Sequence, residues 1–142
     1  MGHVTVHHVY NAARMQAILK NPTGGLAKDM VKRGIRVQTK ARLNLQRHPR
    51  RIDTGLLRAS IQVQLIYFRG YPAVRVGSDL EYAIFVHEGT GIYGPRHHLI
   101  TPKHGKFLVF QPKGSAHLVF ARSVKGMTPN PFLADALSAA AY

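Results

Sequence analysis

The groups in this chain able to do acid–base or metal chemistry are few and scattered. Its carboxylates are Asp29, Asp53, Asp79, Glu81, Glu88 and Asp135. Catalysis by paired carboxylates or by two metals needs such groups converging on one point, and three of these six are better used as caps or early residues of helices. His87-Glu88 begins like the helix of a zinc protease, but that motif needs a second His four residues on, and position 91 is Gly91. His3, His7 and His8 have no carboxylate partners nearby and read as solvated histidines. His97, His98 and His104 lack a Cys or acidic ligand beside them, which argues against a metal site, and a His-based nuclease would also need acidic or Asn partners there. The chain has no Cys, so disulfides and thiolate ligands are excluded. No phosphate-binding loop or nucleophile elbow occurs. The expectation is a protein that is not an enzyme, with no metal and no cofactor.

What the chain does carry is charge. Twenty Lys and Arg stand against six Asp and Glu, a formal net charge of +14 on 142 residues. Such an excess points to nucleic acid, a membrane surface or an acidic protein neighbour, or else to a solubilising surface. The residues that position this charge lie on the longest periodic run, 26–46. At 100° per residue, Leu26, Ala27, Met30, Val31, Gly34, Val37, Ala41 and Leu45 fall on one face. Lys28, Lys32, Arg33, Arg36, Lys40 and Arg47 fall on the other, which predicts an amphipathic helix. Gly34 on the apolar side implies close approach of another backbone, which must offset about 1 kcal/mol of lost helix propensity. Lys28, Lys32, Arg36 and Lys40 repeat every four residues, a mildly repulsive arrangement that an acidic surface would relieve. Arg47-His48-Pro49-Arg50-Arg51 extends the charge into a loop.

The remaining elements follow from pattern and punctuation. Residues 2–9 read as an edge strand or extended arm, and Asn11 caps a short helix to Leu19 that Asn21-Pro22 ends. Thr23-Gly24-Gly25 reads as a hinge, giving an N-terminal arm with a short helix over 1–22 and a single domain over 23–142. Asp53 or Thr54 caps a helical turn ending at Ser60. A hairpin follows, with Ile61, Val63 and Leu65 alternating against Gln62 and Gln64, an Arg69-Gly70-Tyr71-Pro72 turn, and Ala73 to Gly77 as the return strand. Gly77-Ser78-Asp79 offers a cap for a helix over Leu80–Val86 that docks through Tyr82, Phe85 and Val86. A Gly-, Pro- and His-rich loop spans 91–105, and 106–110 and 117–124 read as a second hairpin, for about four strands in one sheet. Asn130 and Pro131 start a last helix with Phe132, Leu133, Ala136 and Leu137 as its apolar stripe. The fold expected is α+β: a long N-terminal amphipathic helix and a C-terminal helix packed on a small, mainly antiparallel β-sheet. No run approaches a membrane span and the start does not read as a signal peptide, so a soluble protein with no membrane partner is expected.

Three phrases of this sequence, in this order, are Asp53-Thr54-Gly55-Leu56-Leu57-Arg58-Ala59-Ser60-Ile61, Tyr82-Ala83-Ile84-Phe85-Val86-His87-Glu88-Gly89-Thr90 and Pro129-Asn130-Pro131-Phe132-Leu133-Ala134-Asp135-Ala136-Leu137. Together they resemble the tail-component family of long-tailed bacteriophages, small neck or tail-completion proteins of the head–tail junction. The resemblance implies a virion protein assembled in the host bacterial cytoplasm. It would form a ring with itself, sixfold in the family's setting, between a head-closure (stopper) ring and the tail terminator or tail tube proteins. It singles out Asp53, Thr54, Gly55, Leu57, Arg58, Ser60, Tyr82, Phe85, Glu88, Gly89, Thr90, Pro131, Phe132 and Leu133 as motif and packing positions, with Gly89 at a positive φ and the last helix packing back on the sheet. In such a ring Lys28, Lys32, Arg36, Lys40, Arg47, Arg50 and Arg51 could face the DNA channel without reading sequence, or contact an acidic neighbouring ring, or face solvent. A tail terminator capping the tube and a free, non-sequence-specific DNA-binding protein are the competing readings.

Overall fold

The architecture is that of a computed structural model, which describes residues 11–46 and 55–140. The first element is α1 (Ala12–Lys20). The Asn11 side chain accepts the Arg14 N–H at 3.0 Å, as an N-cap Asn should. No residue of α1 is buried, and the helix touches the rest of the molecule at the hairpin tip, where Lys20 Nζ sits 5.6 Å from the centre of the Tyr71 ring. The segment after it is a hydrogen-bonded turn rather than a hinge: Asn21 Oδ1 accepts from both Thr23 N and Thr23 Oγ1. Gly25 is already helical.

The long helix α2 (Gly25–Gln46) buries Ala27, Gly34, Val37, Ala41 and Leu45 of the stripe its periodicity predicts, and leaves Leu26, Met30 and Val31 half-buried. It is the spine of the fold. Short helix α3 (Leu56–Ser60) leads into β1 (Gln62–Phe68), paired antiparallel with β2 (Tyr71–Gly77) from Gln62↔Gly77 to Phe68↔Tyr71. The turn is tighter than expected. Arg69 and Gly70 alone connect the strands, with φ of 52° and 81°, the left-handed pair that matches strand twist in two-residue hairpins. Pro72 consequently lies inside β2, which a two-stranded sheet tolerates because its outer edge needs no donor.

The hairpin crosses α2 at Gly34, and α5 (Phe132–Ala140) packs chiefly along α2 beside it. The expectation that the last helix lies back on the sheet is met only where Val76 of β2 reaches the shared core. That core is Val37, Ala41, Leu45, Ile61, Phe132 and Ala136, with Leu57, Val76, Val86, Leu133 and Ala140 packed around it. Ile61 and Phe132 are fully buried, each contributing about 1.5–3 kcal/mol. Ala41 and Ala136 are small enough to let the two helices approach.

Among the described residues four strands form, but in two separate sheets: β3 (Leu108–Phe110) and β4 (Val119–Ala121) pair only with each other. At their base Gly91 and Gly126 bring two segments of backbone into close contact. No described helix is long and apolar enough to cross a membrane.

Candidate assembly and nucleic-acid surfaces

The three motif phrases meet in space. Leu57 of the first, Val86 of the second and Leu133 of the third pack around the same core, to which Phe132 belongs. The His87 ring stands edge-on to Phe132 with centroids 5.5 Å apart, and the Asn130 N–H donates to the Val86 carbonyl at 2.9 Å. Pro131 precedes α5, and its carbonyl accepts the Asp135 N–H. Gly55 stands at the N-cap of α3 with a left-handed φ of 76° and no side-chain cap. The Asp53 and Thr54 cap, the charged loop with Arg47, Arg50 and Arg51, and the strand expected over 2–9 lie outside the described residues. Ser60 Oγ donates to the Leu57 carbonyl and lies 2.6 Å from Ser78 Oγ, tying α3 to the end of β2. Arg58 and Glu88 are exposed.

Two expectations fail at the fourth helix. α4 (Ala83–Glu88) begins three residues later than predicted, because Ser78 Oγ accepts the Leu80 N–H at 3.2 Å in a local turn instead of capping a helix. Nor does it dock through aromatics. Tyr82 and Phe85 are 42% and 56% exposed, and the helix is held by Val86 and His87. Leu137, expected in the apolar stripe of α5, is also exposed. Gly89 does take a positive φ, 80°.

Sequence reading missed the clamp on the Ile61 carbonyl. This group sits between α3 and β1, and Gln38 Nε2 and an Arg42 terminal amine, both from α2, donate to it at 2.6 and 3.0 Å. It also missed the clasp under β3 and β4. There Thr90 N donates to Met127 O, Met127 N to Thr90 Oγ1, and Ile92 N to Lys125 O, each at 2.9 Å. Gly91 and Gly126 press together so closely that a Cβ on either would collide with backbone of the other strand, at Lys125 O or Thr90 O. Seven glycines among the described residues have positive φ, and the two in register here are the signal a sequence could have offered.

The surfaces divide into three kinds. On α2, Lys28, Lys32, Arg36 and Lys40 are all exposed along about 18 Å of helix, whereas Arg33 is neutralised by Asp29 at 2.8 Å. A second surface is apolar: Ile84 and Phe85 on α4, Tyr82 just before it, and Phe107, Val109, Phe110, Leu118, Val119 and Phe120 around the β3–β4 pair are exposed. The third consists of concavities, two of them beside α5. A groove of about 610 Å³ between α2, β2 and α5 is flanked by Arg33 and Arg75. A pocket of about 480 Å³ between the β2–α4 connection and α5 is rimmed by Asp79 and Glu81. No three His, Asp or Glu residues among those described could hold a metal ion.

No protein-family model, curated protein or solved structure matches this chain.

Proposed function

We propose that this protein is a structural subunit that assembles with copies of itself into a ring, the neck or tail-completion ring joining the DNA-filled head of a long-tailed phage to its tail. One observation carries the self-assembly. Among the described residues seven hydrophobic side chains are buried, three of them alanines, while twenty large hydrophobic side chains are exposed. Scattered surface hydrophobics are ordinary, but contiguous ones mark interaction surfaces. Nine of the twenty lie on or beside α4 and the β3–β4 pair, and β3 and β4 pack chiefly on each other. A subunit with so much uncovered apolar area is completed by a partner.

The phage setting rests on the three motif phrases and on their convergence around Phe132. A family motif that is structural rather than chemical is expected to meet in a core in this way. The basic row of α2 suits a ring through which DNA passes, since Lys and Arg on phosphates hold a duplex without specifying bases. Above and below the ring the neighbours would be a head-closure protein and a tail terminator or tube protein. The same features suit a tail terminator, from which position in the virion distinguishes it. Electron microscopy of the purified protein tests the proposal: closed rings with an open channel are expected, and uniformly single subunits would count against it.

The exposed row Lys28, Lys32, Arg36 and Lys40, with no ion-pair partner among the described residues, supports a second reading, a free DNA-binding protein. It predicts a monomer whose mass changes only when duplex DNA is added.

A further inference from the structure

Between Thr90 and Met127 the chain leaves the domain and returns. Above the glycine clasp, Ile100 and Val124 exchange both backbone hydrogen bonds at 3.0 Å. β3 and β4 then pair from Leu108↔Ala121 to Phe110↔Val119. The paired Val109 and Phe120 stand together on one face, and Phe107 and Leu118 immediately precede the two strands. All four are exposed, Phe120 at 63%. An isolated two-stranded hairpin is marginal in water, and β3 and β4 pack chiefly on each other, so the domain itself does not cover this face. Arg122 directly follows β4, two residues on from Phe120, and Lys106 lies just before β3; both are exposed.

The groove between α2, β2 and α5 has the wrong sign for such an arm, being flanked by Arg33 and Arg75; so has a concavity flanked by Arg42 and Arg58, and another, over 111–115, belongs to the arm itself. The pocket between the β2–α4 connection and α5 has the right one. Its lining includes Leu80, Ala83, Ile84 and Leu133, and its rim carries Asp79 and Glu81. Both carboxylates are exposed and neither has an ion-pair partner among the described residues. In a chain with six acidic residues against twenty basic ones, two carboxylates on one rim are an uncommon complement for a cationic, aromatic arm.

We infer that the arm 106–122 of one copy docks its Val109–Phe120 face into the pocket rimmed by Asp79 and Glu81 on the next copy, with Lys106 and Arg122 meeting the two carboxylates. This inference rests on the self-assembly proposed above and specifies its contact. Arm and pocket are different patches of one subunit, so the contact is head-to-tail and each copy both gives an arm and receives one. A head-to-tail contact generates a ring when its rotation closes.

The absence of Cys from the chain makes the test clean. The double variant Ile84→Cys/Leu118→Cys places one thiol at the pocket and one on the arm. A second variant, Met15→Cys/Leu118→Cys, places the first thiol on α1 instead. On mild oxidation the first should give a reducible ladder of covalent multimers ending at the number of subunits in the native particle, measured separately by light scattering, and the second should give none. A multimeric native mass with no ladder overturns the arm docking and leaves the ring standing, as does an equal ladder from the Met15 variant. A ladder that stops at two in a dimeric protein supports the docking and overturns the ring. A monomeric mass with no ladder overturns both.

Discussion

Gly34 of the long helix lies so close to Val74 of the hairpin that a Cβ at position 34 would stand 2.5 Å from Val74 Cγ1, and 2.8 Å from Val63 Cγ1. The glycine in the middle of α2 is therefore the seat of the sheet. Its helix φ is ordinary, so the missing side chain serves packing and not backbone conformation.

Gly34→Ala accordingly trades two terms. It gains about 1 kcal/mol of helix propensity and forces overpacking against two branched side chains, which costs about 1–3 kcal/mol. Net destabilisation is expected, read as a lower denaturation midpoint in urea. Val74→Ala placed on the Gly34→Ala background should recover part of the loss, because the clash and its relief are in direct contact and do not add independently.

The Ile61 carbonyl gives a second prediction. Gln38→Ala leaves Arg42 still donating to it, and Arg42→Ala leaves Gln38, so each single change should cost about 1 kcal/mol or less. Removing both leaves a half-buried acceptor with no donor from α2. The double variant should therefore lose more than the sum of the singles, measured as a double-mutant cycle on unfolding free energy.

At the base of the arm, Gly126 has a φ of 88° and no room for a Cβ beside Thr90. Gly126→Ala should open the clasp at a cost of about 1–3 kcal/mol. The effect should be local: limited proteolysis within 95–125 should accelerate well before the transition of α2 and α5 moves by a comparable amount.

The basic row of α2 predicts a salt-dependent affinity for duplex DNA that is separable from assembly. Lys32→Glu with Arg36→Glu should weaken DNA binding and flatten its dependence on salt, the logarithmic slope falling by about 0.9 for each phosphate that is no longer neutralised. Particle mass without DNA should not change, since neither residue lies on the arm or at the pocket. These measurements would be binding isotherms at several salt concentrations beside light scattering of the same samples.

Much of this fold was legible in the sequence where one force dominated. The stripe from Ala27 to Leu45 declared α2, Asn11 declared the cap of α1, and the alternation after Ile61 declared the hairpin. What went unread depended on competition. Ser78 had a local N–H to satisfy and so delayed α4, and Tyr82 and Phe85 looked like a docking face because apolar residues usually dock inward. On the self-assembly proposed above that inference reverses, and exposed aromatics are the expected result. Likewise strands over 106–110 and 117–124 were visible and form over the shorter 108–110 and 119–121, but nothing in their pattern could say that they would form a sheet of their own. The candidate surfaces were half legible: the basic row follows from helical spacing, whereas the acidic-rimmed pocket exists only because Asp79 and Glu81 are brought beside Leu133 by the fold.

The most direct test of self-assembly is the mass of the full-length protein by light scattering, at low and moderate salt and in the absence of DNA. The account predicts one multimeric mass, a fixed multiple of 15.8 kDa that holds across a wide range of protein concentration. A mass of 15.8 kDa at every concentration would contradict it.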